Sequence, residues 1–338
     1  MHKVEAWLAR TQFADWELEV ASEDASFRRY FRLICGSDTC IVMDASLEKE
    51  SLEPFLEVTA RLRESGVKAP QVYLEDLEAG FLVLEDFGSQ SLLGALSEAN
   101  FEALYLDAID EIVKMQRADA QGLPLYDKAF LHFEMDLMKT WFLEKYLGWE
   151  LSPIEDAVLE NVLDRISDTV LSQPQGRFVH RDFHSRNIMV TPKGETGVID
   201  YQDAMKGAVT YDLVSLLKDC YVRYEPEKIN ALALAFRDRA GIEADDATFL
   251  KWFDFMGLQR HIKVLGVFSR LWLRDKKPGY LRDLPLTLHY AIEAANRYEE
   301  TKPLAELLEK VKMPPLSPNG EALVRGIEDG LGPSSRRK

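Results

Sequence analysis

The residues best suited to chemistry lie in one short segment, 178–203 (FVHRDFHSRNIMVTPKGETGVIDYQD). In it, Asp182 stands five positions before Asn187, and Asp200 stands thirteen positions after Asn187. A carboxylate such as Asp182 on a tight loop can take the proton from an attacking hydroxyl group. An amide oxygen and a second carboxylate are ligands that Mg²⁺ prefers, and phosphoryl transfer from ATP depends mainly on positioning and charge neutralisation. The pattern therefore predicts ATP- and Mg²⁺-dependent phosphoryl transfer, with Asp182 as catalytic base and with Asn187 and Asp200 as metal ligands.

Two apolar runs separate these polar residues and must bring them together. Residues 188–190 (IMV) follow Asn187, and residues 198–199 (VI) precede Asp200. The turn-like residues 191–194 (TPKG) lie between the two runs. We therefore expect a short hairpin that places Asn187 and Asp200 side by side.

Three neighbouring polar residues are candidates for supporting the loop of Asp182 or lining the site. His180 is expected to hold the loop through a backbone hydrogen bond. Asp212 is expected to cap its helix or to brace the same loop. His184 either lines the substrate or phosphate site or faces solvent, and the sequence does not decide between these alternatives.

The arrangement H-x-D-x-x-x-x-N followed by I-D resembles the catalytic loop and metal-binding aspartate of the protein-kinase-like superfamily. The residues 198–201 (VIDY), the second histidine at 184 and the residues 211–216 (YDLVSL) are similar to the aminoglycoside phosphotransferase branch. The resemblance follows the whole chain in order. It implies a two-lobed α+β fold, with a small β-rich N-terminal lobe, a large helical C-terminal lobe, and ATP and Mg²⁺ as cofactors.

A closer resemblance concerns three further segments. Residues 24–32 (DASFRRYFR), 41–45 (IVMDA) and 258–266 (LQRHIKVLG) resemble the bacterial cell-wall-recycling sugar kinases. This resemblance implies that the anomeric hydroxyl of N-acetylmuramate or N-acetylglucosamine is phosphorylated. Two alternatives stay open: a kinase of the same fold acting on an aminoglycoside, choline or another amino alcohol, and a pseudokinase used as a binding module.

The sequence departs from the usual kinase pattern in the predicted strand 40–45. Residues 41–44 (IVMD) carry no lysine, although most kinases have one there that contacts the nucleotide phosphates. Strand alternation places Arg28 and Arg32 on one face and Arg29 on the other. We predict that Arg28 or Arg32 takes the part of the lysine and that Ser26 donates a hydrogen bond to the nucleotide.

The elements that must position these residues change character near a hinge at 83–88. Before the hinge, apolar patterns predict strands; after it, helical periodicity dominates, except in a strand-rich stretch at 177–200. We predict an N-terminal nucleotide-binding lobe at 1–85, a C-terminal catalytic and substrate lobe at 86–325, and a flexible tail at 326–338. The predicted strands are 27–34, 40–45, 71–75 and 80–85, and the predicted helices are 3–12, 48–65, 98–117, 131–147, 153–172, 226–240, 245–273 and 284–299.

Backbone groups of the hinge residues Leu84, Glu85 and Asp86 are expected to meet the edge of the adenine ring, as the resemblance implies. The alternative is an ordinary acidic loop.

Candidate substrate residues lie on two predicted helices. Arg260, Lys263 and Arg274 recur at helical intervals, and a carboxylate-bearing sugar favours such cations. We name these three with Glu134 and His184 as candidate substrate ligands. The alternative is a cationic stripe that only faces solvent.

Composition limits the remaining possibilities. The chain has 338 residues, 46% of them hydrophobic, which suffices for a large core. Its net charge of −16 argues against nucleic acid as a partner, and it contains no apolar run long enough for a membrane span. Three cysteines without metal-ligand spacing argue against a disulfide framework and a zinc site, and the apolar runs around Cys35 and Cys40 predict that these two are small buried side chains. We expect a cytoplasmic monomer that acts on a small-molecule sugar.

Overall fold

A computed structural model of the chain describes residues 2–23 and 28–314. Ser26 and the predicted tail at 326–338 lie outside the described residues. No helix in the described ranges is both long and apolar enough to cross a membrane.

Strands dominate the first part of the chain and helices the rest. The strands are β1 (Glu17–Glu23), β2 (Arg29–Cys35), β3 (Asp38–Asp44), β4 (Val72–Asp76), β5 (Phe81–Glu85), β6 (Arg177–Val179), β7 (Ile188–Val190), β8 (Thr196–Val198) and β9 (Met205–Gly207). The helices are α1 (His2–Leu8), α2 (Leu52–Glu64), α3 (Leu92–Ala95), α4 (Phe101–Met115), α5 (Lys128–Leu137), α6 (Pro153–Ser172), α7 (Tyr211–Leu217), α8 (Pro226–Arg239), α9 (Asp246–Leu273), α10 (Leu284–Ala295) and α11 (Lys302–Leu308). Two short 3₁₀ segments (Lys49–Ser51 and Pro278–Asp283) and a π-helical segment (Met138–Tyr146) complete the described elements.

The first five strands form an antiparallel sheet in the order β1-β2-β3-β5-β4. Along β2, Phe31 and Leu33 are buried against α1, whereas Arg32 points to the opposite face. Arg32 is paired with Ile41 of β3, and Ile41 is paired with Leu84 of β5. One face of the sheet therefore packs into the core. On the opposite face, the side chains of Arg32, Ile41 and Leu84 form a row across the strands that ends at the hinge.

Two small hairpin-like sheets follow the hinge. The strands β7 and β8 pair antiparallel with Ile188 opposite Val198, and the turn between them contains Gly194 at φ +78°. The strands β6 and β9 pair with Arg177 opposite Gly207. These pairs confirm the hairpin and the strand-rich stretch that the sequence predicts.

The helix α6 begins and ends at the predicted residues, and its start is encoded locally. Ser152 accepts a hydrogen bond from the backbone N–H of Glu155, whose side chain accepts one from the N–H of Ser152. This capping box, with Pro153 in the first turn, satisfies N–H groups that otherwise lack helical partners.

The predicted α+β class is confirmed, whereas one minor expectation is wrong. Cys40 is buried as expected, but Cys35 is exposed. Cys35 is the last residue of β2, and the chain turns into solvent at Gly36 directly after it.

The chain forms two compact units. The first consists of Met1–Tyr126 and Pro174–Leu250, and the second of Asp127–Gln173 and the described part of Lys251–Lys338. The first unit contains the five-stranded sheet and all four short strands of 177–207. The predicted lobe boundary at 85/86 falls within this unit and stays a prediction.

Candidate active site

His180 links the loop after β6 to the strand that precedes Asp200. Its ring is fully buried, and its Nδ1 accepts the backbone N–H of Asp182 at 3.3 Å. The ring proton therefore belongs on Nε2, which donates to the carbonyl oxygen of Ile199 at 3.0 Å. One imidazole thus couples the position of Asp182 to that of Asp200.

A buried carboxylate holds the same loop from the other side. Asp212, near the start of α7, accepts the N–H groups of His180 at 2.8 Å and Arg181 at 3.0 Å. Arg181 adopts φ +77°, a conformation that costs a non-glycine residue about 1 kcal/mol or more. The two hydrogen bonds offset this cost. Burial raises the pKa of Asp212 to about 6, although its hydrogen bonds and His180 act in the opposite direction.

A second buried carboxylate supports the far end of the loop. One oxygen of Asp219 accepts hydrogen bonds from the hydroxyl and the N–H of Ser185. The other oxygen accepts the N–H groups of Tyr221 at 3.0 Å and Val222 at 3.1 Å. Burial raises the pKa of Asp219.

Asn187 and Asp200 come together as the spacing predicts. The amide Nδ2 of Asn187 donates to Oδ2 of Asp200 at 2.9 Å and to the carbonyl oxygen of Asp182 at 3.1 Å. Gln202 donates to Oδ1 of Asp200 at 2.8 Å. The loop of the predicted base and the two predicted metal ligands therefore share one small polar cluster.

The donor types of this cluster suit Mg²⁺. Asp200 supplies carboxylate oxygens and Asn187 an amide oxygen, the hard ligands that this ion prefers. Within the described ranges, no group of three or more His, Cys, Asp or Glu residues could hold a metal. A two-residue set fits an ion that takes its remaining ligands from nucleotide phosphates and water.

A cavity of about 480 Å³ joins this cluster to the sheet. Its size lies in the range of small-molecule sites. The predicted hinge residues Leu84, Glu85 and Asp86 line it, and so do Asn187 and Asp200. Its apolar wall consists of Ile41, Met43, Phe55, Pro70, Leu84, Met189 and Ile199.

Arg32 lies in this cavity but is bound to the hinge. Its guanidinium donates to both carboxylate oxygens of Asp86, at 2.6 and 3.1 Å, and to the carbonyl oxygen of Gly88 at 3.1 Å. Burial raises the pKa of Asp86, but the hydrogen bonds from Arg32 and Gly88 outweigh it and leave this pKa below its ordinary value. Contact between Arg32 and nucleotide phosphate stays a prediction.

Arg28 lies elsewhere. It is only 6% exposed, its Nε is 3.9 Å from Glu48, and its guanidinium is 5.9 Å from the ring centre of Phe55. It does not appear among the described residues that line the cavity.

Asp44 stands in the strand where most kinases carry a lysine. Its carboxylate accepts hydrogen bonds from Arg29 at 2.5 Å and from the N–H of Ser46 at 3.0 Å. Burial raises the pKa of Asp44, but these bonds outweigh it and lower the pKa overall.

Most of the candidate substrate residues lie in the second unit. Glu134 is 3% exposed and accepts hydrogen bonds from Lys263 at 2.9 Å and Gln259 at 3.2 Å. Arg260 is also buried. Arg274 follows the end of α9, is exposed, and pairs with Asp275 at 2.7 Å. Their roles in substrate binding stay predictions.

His184 remains in the first unit, where its ring meets that of Tyr221 edge to face at 5.3 Å. Sequence reasoning missed Tyr221, Asp219 and Gln202 as parts of this site. Asp219 and Tyr221 follow α7 in a stretch without a recognisable motif, so no sequence signal pointed to them. Gln202 stands two positions after Asp200, and that proximity was a usable signal.

Comparison with known proteins shows the family. A model of the phosphotransferase enzyme family matches residues 17–248. An N-acetylmuramate/N-acetylglucosamine kinase of Neisseria meningitidis serogroup B is 39% identical over 305 residues, which cover 87% of this chain and 90% of that protein. The kinase of the same name from Pseudomonas aeruginosa is 40% identical and covers 86% and 88% of the two chains.

Solved structures agree on the fold. The chain resembles the ADP-bound aminoglycoside phosphotransferase APH(2'')-Ib with a TM-score of 0.60 and 16% identity, covering 87% of this chain and 98% of that one. It resembles the choline kinase LicA of Streptococcus pneumoniae with a TM-score of 0.53 and 13% identity, covering 86% and 98%. The predicted two-lobed, protein-kinase-like α+β fold is confirmed.

Proposed function

Because this chain belongs to the phosphotransferase enzyme family, we propose that it is a kinase that transfers the terminal phosphoryl group of ATP to N-acetylmuramate and N-acetylglucosamine. The observation that carries the choice of sugar is the similarity to kinases named for these two substrates, at 36–40% identity over most of the chain. The choline kinase and the aminoglycoside phosphotransferases share the fold at much lower identity.

The geometry supports a defined division of labour. Asp182 accepts the proton of the attacking sugar hydroxyl, whose oxygen forms a bond to the terminal phosphorus while the bond to the bridging oxygen of ADP breaks. Asn187 and Asp200 hold Mg²⁺, which when bound neutralises charge on the triphosphate. His180 and Asp212 keep the loop of Asp182 in place through their hydrogen bonds.

The finer assignments rest on the sequence resemblance. We propose the anomeric hydroxyl as acceptor, cell-wall recycling as the process and the cytoplasm as the location, where ATP is available. We further propose that Leu84, Glu85 and Asp86 meet the adenine and that the enzyme acts as a monomer. The lining of the cavity by these three hinge residues supports the adenine assignment.

A coupled assay of ADP release tests the proposal. We expect turnover with N-acetylmuramate and N-acetylglucosamine, and none with choline or kanamycin. Asp182→Asn removes the base and should lower kcat by about 10²–10⁴-fold, the usual contribution of general base catalysis. The matched control, Asp203→Asn, removes an exposed carboxylate from the next loop and should leave kcat unchanged.

Thermal shift with ATP and Mg²⁺ shows whether Asp182→Asn still folds and binds nucleotide. Turnover only with choline or kanamycin would mean that the substrate is an amino alcohol or an aminoglycoside rather than a sugar. Nucleotide binding with equal, near-zero rates for wild type and variant on every acceptor would favour a binding module instead.

A further inference from the structure

The strand that supplies a phosphate-binding lysine in most kinases carries none here, since residues 41–44 read IVMD. Of the described residues that line the nucleotide-sized cavity, two are basic: Arg32 and Arg186. Arg32 donates three hydrogen bonds to Asp86 and Gly88 at the hinge end. Arg186 lines the cavity and directly precedes Asn187, one of the two predicted metal ligands.

The side chain of Arg186 is held in a definite orientation. The central carbon of its guanidinium lies 3.6 Å from the ring centre of Tyr221. Such stacking uses the flat face of the guanidinium, while its N–H groups point outward in the plane of the group. A stacked arginine is therefore able to bind phosphate oxygens in a forked manner, which a mobile side chain would do at a greater entropic cost.

The platform under Arg186 is itself built into the fold. Asp219, which is 1% exposed, accepts the N–H of Tyr221 with one oxygen and binds Ser185 with the other. A single buried carboxylate thus fixes both the residue before Arg186 and the ring on which Arg186 lies.

We propose that Arg186 binds the terminal phosphate oxygens of ATP and does the work of the absent strand lysine, and that Tyr221 and Asp219 are positioning residues for it. The proposal rests on the kinase function stated above. It differs from the sequence prediction, which assigned this work to Arg28 or Arg32.

Arg186→Gln tests the contact with phosphate. It should lower kcat/KM for ATP by about 10²-fold, the usual scale for loss of one electrostatic contact to a developing charge. Binding of a non-hydrolysable ATP analogue should weaken more than binding of ADP, because the lost contact is with the terminal phosphate. The KM for N-acetylglucosamine at saturating ATP should stay within twofold. Arg186→Lys, which keeps the charge without the planar group, should fall in between.

Arg177→Gln is the matched control, because it removes the same charge from an exposed residue of β6 and should change none of these quantities. Arg32→Gln is measured in parallel and should weaken ADP and the ATP analogue equally. Circular dichroism and thermal melting establish that each variant is folded.

The positioning role has its own test. Tyr221→Phe keeps the ring and should resemble the wild type, whereas Tyr221→Ala should lower kcat/KM for ATP by about tenfold. If the ring acts through Arg186, the double variant of Tyr221→Ala and Arg186→Gln should be no worse than Arg186→Gln alone.

Three results would overturn the proposal. One is an unchanged preference for the ATP analogue over ADP in Arg186→Gln. Another is a defect confined to N-acetylmuramate, which would assign the arginine to the carboxylate of that sugar. The third is loss of the preference in Arg32→Gln alone. If the wild type phosphorylates neither sugar, the proposed function is wrong. The affinities of the variants for ADP and the ATP analogue would still test the role of Arg186.

Discussion

Asp212 shows how a single buried carboxylate makes the catalytic loop sensitive to pH. Its two oxygens accept the N–H groups of His180 and Arg181, and burial raises its pKa from 3.8 to about 6. A pKa that is higher in the folded than in the unfolded state means that the folded protein holds the proton more tightly. The contribution of Asp212 to stability is therefore fully present below pH 4 and is lost as the pH rises through about 6.

We predict that Asp212→Asn removes this pH dependence. The free energy of unfolding of the wild type minus that of the variant should fall between pH 4 and pH 7 by about 2 kcal/mol, most of the free energy that corresponds to the raised pKa. Urea denaturation at several pH values measures the difference. Subtracting the variant removes the effect of every other group that titrates in this range.

If the difference in the free energy of unfolding does not change with pH, burial does not raise the pKa of Asp212. Above pH 7 the variant should also have a lower kcat, because an amide offers one acceptor oxygen for two N–H groups and the loop of Asp182 loses a hydrogen bond. Asp238→Asn, an exposed carboxylate near the end of α8, serves as the control.

Among single residues, the sequence predicts those whose side-chain chemistry and spacing along the chain both fit a known kind of site. Asp182, Asn187 and Asp200 could be predicted because a loop and a hairpin of known length separate them. Asp219 and Tyr221 could not be predicted. Their contacts with Ser185 and Arg186 depend on the path by which the chain after α7 comes back to the catalytic loop. No local pattern specifies that return.

At the level of elements, the hinge is packed directly on the hairpin that carries Asp200. The ring of Phe87 lies against the backbone of Gly197 in β8, so close that a Cβ at Gly197 would be 2.5 Å from Cδ2 of Phe87. Lys68 adds to this contact, because its Nζ lies 2.8 Å from Glu85 at the hinge and 3.5 Å from Glu195 at the hairpin. A displacement of the hinge should therefore also displace the predicted metal ligand Asp200.

We predict that Gly197→Ala destabilises the protein by about 1–3 kcal/mol, as overpacking usually does, and raises the KM for ATP by displacing the hinge. The same change in a Phe87→Leu background should cost less, since the smaller side chain leaves room for the added methyl group. Urea denaturation and steady-state kinetics measure the two effects.

The control is Gly94→Ala in α3. An added Cβ there meets only Ser91 Oγ at 3.6 Å, an ordinary contact, so stability should be unchanged or slightly higher. Equal costs for Gly197→Ala in the wild-type and Phe87→Leu backgrounds would mean that Phe87 and Gly197 are not coupled.

Predictability also varies between elements for physical reasons. The start of α6 follows from a capping box that is written in four consecutive residues, 152–155. The edge strand β1 was missed because its sequence, ELEVASE, has few apolar residues, and Val20 within it is 62% exposed. The seven-residue α11 was missed because so short a helix owes its stability to its packing against α6 and α10 rather than to its own pattern.

On the scale of the whole molecule, the division into two compact units separates the candidate sites. Every described residue that lines the cavity belongs to the first unit, although these residues come from widely spaced parts of the chain. Glu134, Arg260 and Lys263, which were predicted to bind the sugar, belong to the second. Neither unit is continuous in sequence, so no change in composition along the chain could have revealed this division.

This separation predicts a stepwise pattern of amide hydrogen exchange in the full-length chain. A non-hydrolysable ATP analogue with Mg²⁺ should slow exchange in segments 81–89 and 186–202, because their residues line the cavity, while 127–173 and 251–314 keep their rates. Asp200→Asn should reduce this protection by the nucleotide, because it removes a predicted metal ligand.

Subsequent addition of N-acetylglucosamine should slow exchange around Glu134 and Lys263 if these residues bind the sugar. Protection of α9 by the nucleotide alone would contradict the assignment of the nucleotide to the first unit. Protection by sugar that never reaches the second unit would remove Glu134, Arg260 and Lys263 from the list of substrate ligands.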